Sequence, residues 1–150
     1  DVGLVALPQA PVAGLSIRPW RRDPVMAFLP ADWPLPARVT PAYLAARPLI
    51  LNDATTRLSR LTTEWFALGG HRPEPRIELN YNDAIKSLVA AGYGATLLPH
   101  EAGAPLPDAR IVMRPLRPAL WRELGIAHRA GPIERATQHV LDALRALRAR

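Results

Sequence analysis

Between Ile77 and Pro99 the chain reads, in order, as strand, polar turn, helix, glycine and strand. That order restricts the fold more than any other stretch. Arg76-Ile-Glu-Leu79 alternates polar and apolar residues, as a half-buried strand does. Asn80 or Asn82 can cap the next helix, whose apolar residues are Ala84, Ile85, Leu88, Val89 and Ala91. Gly92 can end it with a positive φ, and Gly94 permits a closely packed turn into Gly94-Ala-Thr-Leu-Leu98. Pro99 cannot extend a ladder and stops that strand. A similar unit comes just before. Pro48-Leu-Ile-Leu51 reads as a buried strand, Asn52 to Arg57 is rich in capping residues, and a helix follows with Leu58, Leu61, Trp65 and Leu68 on one face. Gly69-Gly70 ends it. Strands alternating with helices predict an α/β fold with parallel strands. Ligands of such sheets sit outside the carboxyl ends of the strands, near helix N-termini.

The flanks supply the remaining elements. Asp1 to Ala6 reads as a buried strand, and its abrupt start suggests a larger protein continuing upstream. Leu15–Arg21 and Pro24–Leu29 read as two strand segments, followed by a rigid connection through Pro30, Pro34 and Pro36. Thr40 caps a short helix, Pro41–Ala46. His100 to Arg110 reads as loop, and Ile111–Leu116 and Glu123–His128 as strands. A last helix is predicted from about Pro132 to Ala149, with Ile133, Ala136, Val140, Leu144 and Leu147 inward.

Composition narrows the function classes. A length of 150 residues, 49% of them apolar, suits one domain or two small lobes. No apolar run approaches the roughly 20 residues of a membrane span, and nothing at the start reads as a signal peptide. The absence of cysteine excludes a disulfide framework and a thiolate metal site, and fits a cytoplasmic protein. The net charge is +6, with Lys86 the only lysine. The arginines are scattered from Arg18 to Arg150 with few aromatics among them, which reads as a compositional bias rather than a nucleic-acid surface. His71, His100, His128 and His139 show no metal-ligand spacing. Ser16, Ser59 and Ser87 lack a nucleophile-elbow context, and nothing pairs Glu64 with Glu78 as acid and base. Trp65 and Tyr93 read as core or rim. No enzymatic site, metal or cofactor is therefore expected.

Two strand-to-helix junctions carry the candidate chemistry. One holds Thr55, Thr56 and Arg57, the other Asn80 and Asn82. Helix N-termini favour anions, and Arg57 can hold a carboxylate in a two-pronged fashion. Each residue alone reads first as a helix cap; taken together, the two junctions read equally as caps or as one pocket.

Leu88-Val-Ala-Ala-Gly-Tyr-Gly-Ala-Thr-Leu-Leu-Pro99 resembles the effector-binding domain of LysR-type transcriptional regulators. Other stretches fit in order: Asp1-Val-Gly-Leu-Val5, Asp23 to Leu35 with its Trp-Pro-Leu turn, Tyr43 to Leu51, and Arg122 to Arg129. The resemblance implies a two-lobed fold like that of type 2 periplasmic binding proteins, with two crossover strands and an incomplete first lobe. Residues 1–30 and 125–150 would belong to lobe I and 31–124 to lobe II. Hinges would fall at Phe28, Leu29 and Pro30, and at Gly125, Ile126 and Ala127. The effector, a small anionic organic acid, would bind between lobes, with Trp20 and Arg22 approaching the same cleft. The chain would form a homodimer or tetramer, and DNA would be bound only through a winged helix-turn-helix outside it. Three other classes compete: a solute-binding protein of a transport system with the same lobes, an enzyme on the same fold, and direct nucleic-acid binding through the positive charge.

Overall fold

The computed structural model describes residues 1–101, 104–105 and 108–148. Its elements are β1 (Val2–Leu7), β2 (Leu15–Pro30), α1 (Pro41–Ala45), β3 (Leu49–Leu51), α2 (Arg57–Leu68), β4 (Pro75–Glu78), α3 (Asn82–Ala90), β5 (Thr96–Pro99), β6 (Ile111–Arg129) and α4 (Arg135–Arg148). Residues 102, 103, 106 and 107 of the expected loop, and the expected helix end at Ala149, lie outside the described residues. Strands β1, β6, β2 and β5 pair in that order, and β3 pairs with β4. The chain divides into two units, one of residues 1–22 and 122–150 (unit 1), the other Asp23–Trp121 (unit 2). No described helix is long and apolar enough to cross a membrane.

Unit 2 is built around β3. All three of its residues are buried, so it reads as an unbroken apolar run. On one side it pairs in parallel with β4, Ile50 opposite Ile77 and Leu51 opposite Glu78. On the other, the Ile50 N–H donates to the Ala95 carbonyl at 2.8 Å and the Ala95 N–H to the Pro48 carbonyl at 2.9 Å. Gly94 makes this approach possible, because a Cβ there would lie 2.7 Å from the Pro48 oxygen. Strand β5 then runs antiparallel to the end of β2, from Val25 opposite Pro99 to Phe28 opposite Thr96. One apolar cluster gathers Trp65, Phe66, Leu44 and Val39 against Leu29 and Leu97. Trp65 and Phe66 meet edge to face, with centroids 5.2 Å apart, and the Trp65 indole N–H donates to the Pro118 carbonyl at 2.7 Å. A second cluster packs Ile85 and Val89 of α3 against Ile50, Phe28 and Leu98.

Unit 1 has a smaller core. Strand β1 runs antiparallel to the end of β6, Val2 opposite His128 through Leu7 opposite Glu123. Trp20, Ile126 and Leu141 are its buried centre. The Trp20 indole N–H donates to the Leu144 carbonyl at 2.8 Å and pins α4 to the sheet.

Several expectations need correction. The paired segments on either side of Pro24, and those on either side of Pro118, are single strands, β2 and β6. Proline removes a donor but keeps an acceptor. The Pro24 carbonyl receives the His100 N–H at 2.9 Å, and the Pro115 carbonyl receives the Val39 N–H at 2.9 Å. The buried face of α2 holds Thr62, Trp65 and Phe66, and Leu68 is 73% exposed. On α4 the inward residues are Leu141 and Leu144, whereas Val140 and Leu147 are exposed, as is Ile133 ahead of the helix. The Trp20 bond to Leu144 sets that rotation. The unit boundaries, at 22/23 and 121/122, differ from the expected 30/31 and 124/125. The β5 ladder draws Phe28 and its neighbours into unit 2, where Phe28 and Leu29 are buried. Gly125, Ile126 and Ala127 are laddered to β1 inside unit 1. The expected hinge residues Phe28, Leu29 and Pro30 fall in unit 2, and Gly125, Ile126 and Ala127 in unit 1.

Gly94→Ala should lower unfolding free energy by about 2 kcal/mol, because the obstructing atom is backbone and cannot swing away. Gly3→Ala, whose added carbon would come no nearer than 4.0 Å to another group, should stay within about 0.5 kcal/mol of the parent. Urea denaturation of both variants checks the contrast. Equal losses would contradict the close-approach explanation.

Candidate functional site

Parallel pairing of β3 and β4 brings their carboxyl ends level, Leu51 beside Glu78. The chain leaves both strands into polar turns, and the Leu79 N–H donates to the Leu51 carbonyl at 3.1 Å. Two side chains fasten the turns together. The Asn80 Oδ1 accepts from the Asp53 N–H at 2.9 Å, and the Asn52 amide donates to the Leu79 carbonyl at 3.4 Å. The structure thus brings Thr55, Thr56, Arg57, Asn80 and Asn82 to one end of unit 2.

The two helix starts differ. At α2 the chain satisfies itself. The Thr56 Oγ1 caps the helix by accepting from the Ser59 N–H at 3.1 Å and donates to the Asp53 carbonyl at 2.9 Å. The Asp53 carboxylate accepts from the Thr55 N–H and from the Thr55 hydroxyl, both at 2.7 Å. These bonds, the backbone one first, hold the Asp53 carboxyl below the usual carboxylate range. A negative charge of the chain's own therefore already stands where α2 would attract one. At α3 the cap position is Tyr81, and it makes no side-chain capping bond. The expected capping by Asn80 or Asn82 is not what the structure shows. Asn80 braces Asp53 instead, and Asn82 is the first residue of the helix. The Tyr81 ring is exposed. Asp83, in the first turn, has its carboxylate 3.8 Å from the Lys86 ammonium. Arg57 is the first residue of α2, and its Nε is buried without a hydrogen-bond partner. The donors left at this end are thus the Arg57 guanidinium, the Asn82 amide and the uncapped N–H groups of α3.

Trp20 and Arg22 belong to unit 1. Trp20 is buried and bonded to Leu144, with the Arg21 guanidinium 4.8 Å from its ring centroid. Arg22 lies 3.7 Å from the Glu123 carboxylate. Sequence reasoning missed the role of Asp53; the spacing Asp53-x-Thr55, which suits a local side-chain turn, was the available signal. Among the described residues no three His, Asp or Glu side chains gather as a metal site.

Comparisons place this architecture among known domains. A family model for the LysR substrate binding domain matches residues 1–149. None of the curated protein sequences matches the chain. The reduced form of the OxyR regulatory domain from Pseudomonas aeruginosa is similar with a TM-score of 0.81 and 25% identity, over 97% of this chain and 72% of that one. The CcmR regulatory domain of Synechocystis PCC6803, in complex with 2-PG, gives 0.82 and 22%, over 98% and 73%. The BenM effector binding domain with its effector benzoate gives 0.82 and 20%, over 99% and 69%.

A carboxyl depressed in the folded chain contributes stability above the unfolded carboxylate pKa and loses it as pH falls through the lower folded value. Asp53 should therefore titrate below the usual range when followed by carbon NMR. Thr55→Val removes the hydroxyl bond and keeps the backbone one, so it should raise that midpoint only part of the way. An unchanged midpoint would show that the hydroxyl contributes nothing.

Proposed function

The chain belongs to the LysR substrate-binding domain family, and on that premise we propose that it senses a small organic anion for a LysR-type transcriptional regulator. The observation that carries the anion reading is the uncapped start of α3 beside the Arg57 guanidinium. Backbone N–H groups at a helix start attract negative charge, and a guanidinium adds paired donors of the right geometry for a carboxylate. Asn82 supplies a neutral donor or acceptor for a hydroxyl or carbonyl on the same ligand. Thr55, Thr56 and Asn80 hold the turns in place, each engaged with a neighbouring group. Benzoate, the effector named for BenM, supports the same ligand class.

In this reading the domain catalyses nothing and needs no metal or cofactor. Occupancy alters the grip on DNA of a winged helix-turn-helix domain, a module not found among the described elements. The working assembly is a homodimer or tetramer in the cytoplasm. Selectivity among organic acids rests on Tyr81, Asn82 and Arg57 rather than on the threonines of α2.

A thermal-shift screen should find stabilisation by small carboxylates and none by amides of matching shape. Arg57→Gln and Asn82→Ala should each weaken the best carboxylate about ten-fold, the scale of one hydrogen bond to a charged group. Stabilisation only by neutral or cationic compounds would overturn the anion assignment.

A further inference from the structure

Unit 2 carries a recess at the carboxyl end of α3, away from the polar turns that precede that helix. It has a volume of about 350 Å³ and three walls, made by residues 30–32, 90–92 and 109–110. Backbone bonds hold the walls in place. The Ala31 N–H donates to the Arg110 carbonyl at 2.8 Å, and the Trp33 N–H donates to the Pro30 carbonyl at 3.2 Å, which closes the turn carrying Asp32. At the helix end the Gly92 N–H donates to the Val89 carbonyl at 2.9 Å and the Tyr93 N–H to the Leu88 carbonyl at 3.1 Å. Gly92 takes a φ of 80° there, a conformation that favours glycine.

The recess carries both signs of charge. Asp32 is exposed, and its carboxylate makes no hydrogen bond or ion pair among the described residues. The Ala90 and Ala91 carbonyls receive no backbone donor among the described residues, and the carboxyl end of a helix is its negative pole. The positive group is Arg110. Its Nε and Nη2 donate to the Asp108 carboxylate at 3.0 and 2.7 Å. That two-pronged bond fixes the guanidinium plane and leaves Nη1 as a free donor. Asp108 itself does not line the recess, and the rest of the lining is small and apolar.

We propose that this recess binds a small zwitterion, a free α-amino acid with a short apolar side chain. Its ammonium meets Asp32 and the carboxyl end of α3, its carboxylate meets Arg110, and its side chain rests on Ala31, Ala90 and Ala109. A simple anion would leave Asp32 facing a like charge, and a simple cation would do the same to Arg110, so neither half of the ligand fits alone. The volume lies near the roughly 300 Å³ at which small-molecule sites begin, which leaves room for one branched chain. The nine residues of α3, about 13 Å of helix, separate this site from the polar junctions at the other end. It shares no residue with them and stands whether or not they bind an anion.

L-leucine is the probe. 4-Methylpentanoate, which lacks the ammonium, and 3-methylbutylamine, which lacks the carboxylate, are its controls. Proton–nitrogen NMR spectra of the whole chain should show leucine moving the Ala31, Asp32, Gly92 and Ala109 amide signals, with saturation. Each control should bind about five-fold more weakly, the scale of one exposed ion pair. Asp32→Asn should weaken leucine by the same factor and leave 4-methylpentanoate as before. Arg110→Gln should weaken leucine and leave 3-methylbutylamine as before. A general loosening of the turns would not produce this crossed pattern. The Asp32 carboxylate has no partner to lose, so Asp32→Asn should melt with the parent, and it carries the test if Arg110→Gln disturbs its turn. Arg57→Gln should leave the leucine response unchanged, which separates this site from the junctions. The proposal is overturned if leucine up to about 20 mM, a concentration that would reveal even a millimolar site, leaves these signals in place. It is equally overturned if either control, or leucine with Asp32→Asn, matches the affinity of leucine for the parent. Movement of the same signals with protein concentration alone would also overturn it, because a second copy of the chain would then fill the recess.

Discussion

Unit 2 depends on a three-residue strand held from both sides. Leu49–Leu51 has β4 along one edge, and along the other it receives the turn at Gly94 and Ala95. Buried backbone groups must find partners, and a strand this short has few to offer, so each bond fixes register strongly. The missing side chain at Gly94 lets one of those bonds form. Once β3 is placed, the carboxyl ends of β3 and β4 are level, and the two polar turns have to emerge together. The site at that end is a consequence of the register rather than an addition to it.

Much of this order is legible in the sequence because short apolar runs alternate with helical spacing and are punctuated by glycine. The cap at Thr40 follows from residue type alone, since its hydroxyl accepts the Tyr43 N–H at 3.2 Å. What residue type does not reveal is which partner a polar side chain chooses. Asn80 stands where a cap is expected, yet it bonds to Asp53, 27 residues earlier, a choice made by strand pairing. Helix faces fail for a related reason. α2 and α4 both carry more apolar residues than one stripe can hold, and the sheet beneath decides which are covered. Leu68 on α2 and Val140 on α4 lose that competition.

Proline misleads in the long strands. The segments expected to end near Pro24 and Pro118 are continuous, and Pro24, Pro115 and Pro118 all sit within strands. In the structure their carbonyls serve as acceptors for His100, Val39 and the Trp65 indole. Strands β2 and β6 each run from one unit into the other, and the unit to which a residue belongs is set by the ladder it joins. That information is non-local, which is why a boundary drawn from sequence lands several residues away.

The unequal helix starts of unit 2 have an evolutionary consequence. The start of α2 is closed by Thr56 and Asp53, so changes there strike at folding. The start of α3, with Tyr81 exposed and no capping side chain engaged, can vary at little cost to the fold. Under the proposed function, drift at positions 81 and 82 would retune what the domain recognises while the scaffold stays intact, and inheritance of the fold would be uncoupled from inheritance of the ligand.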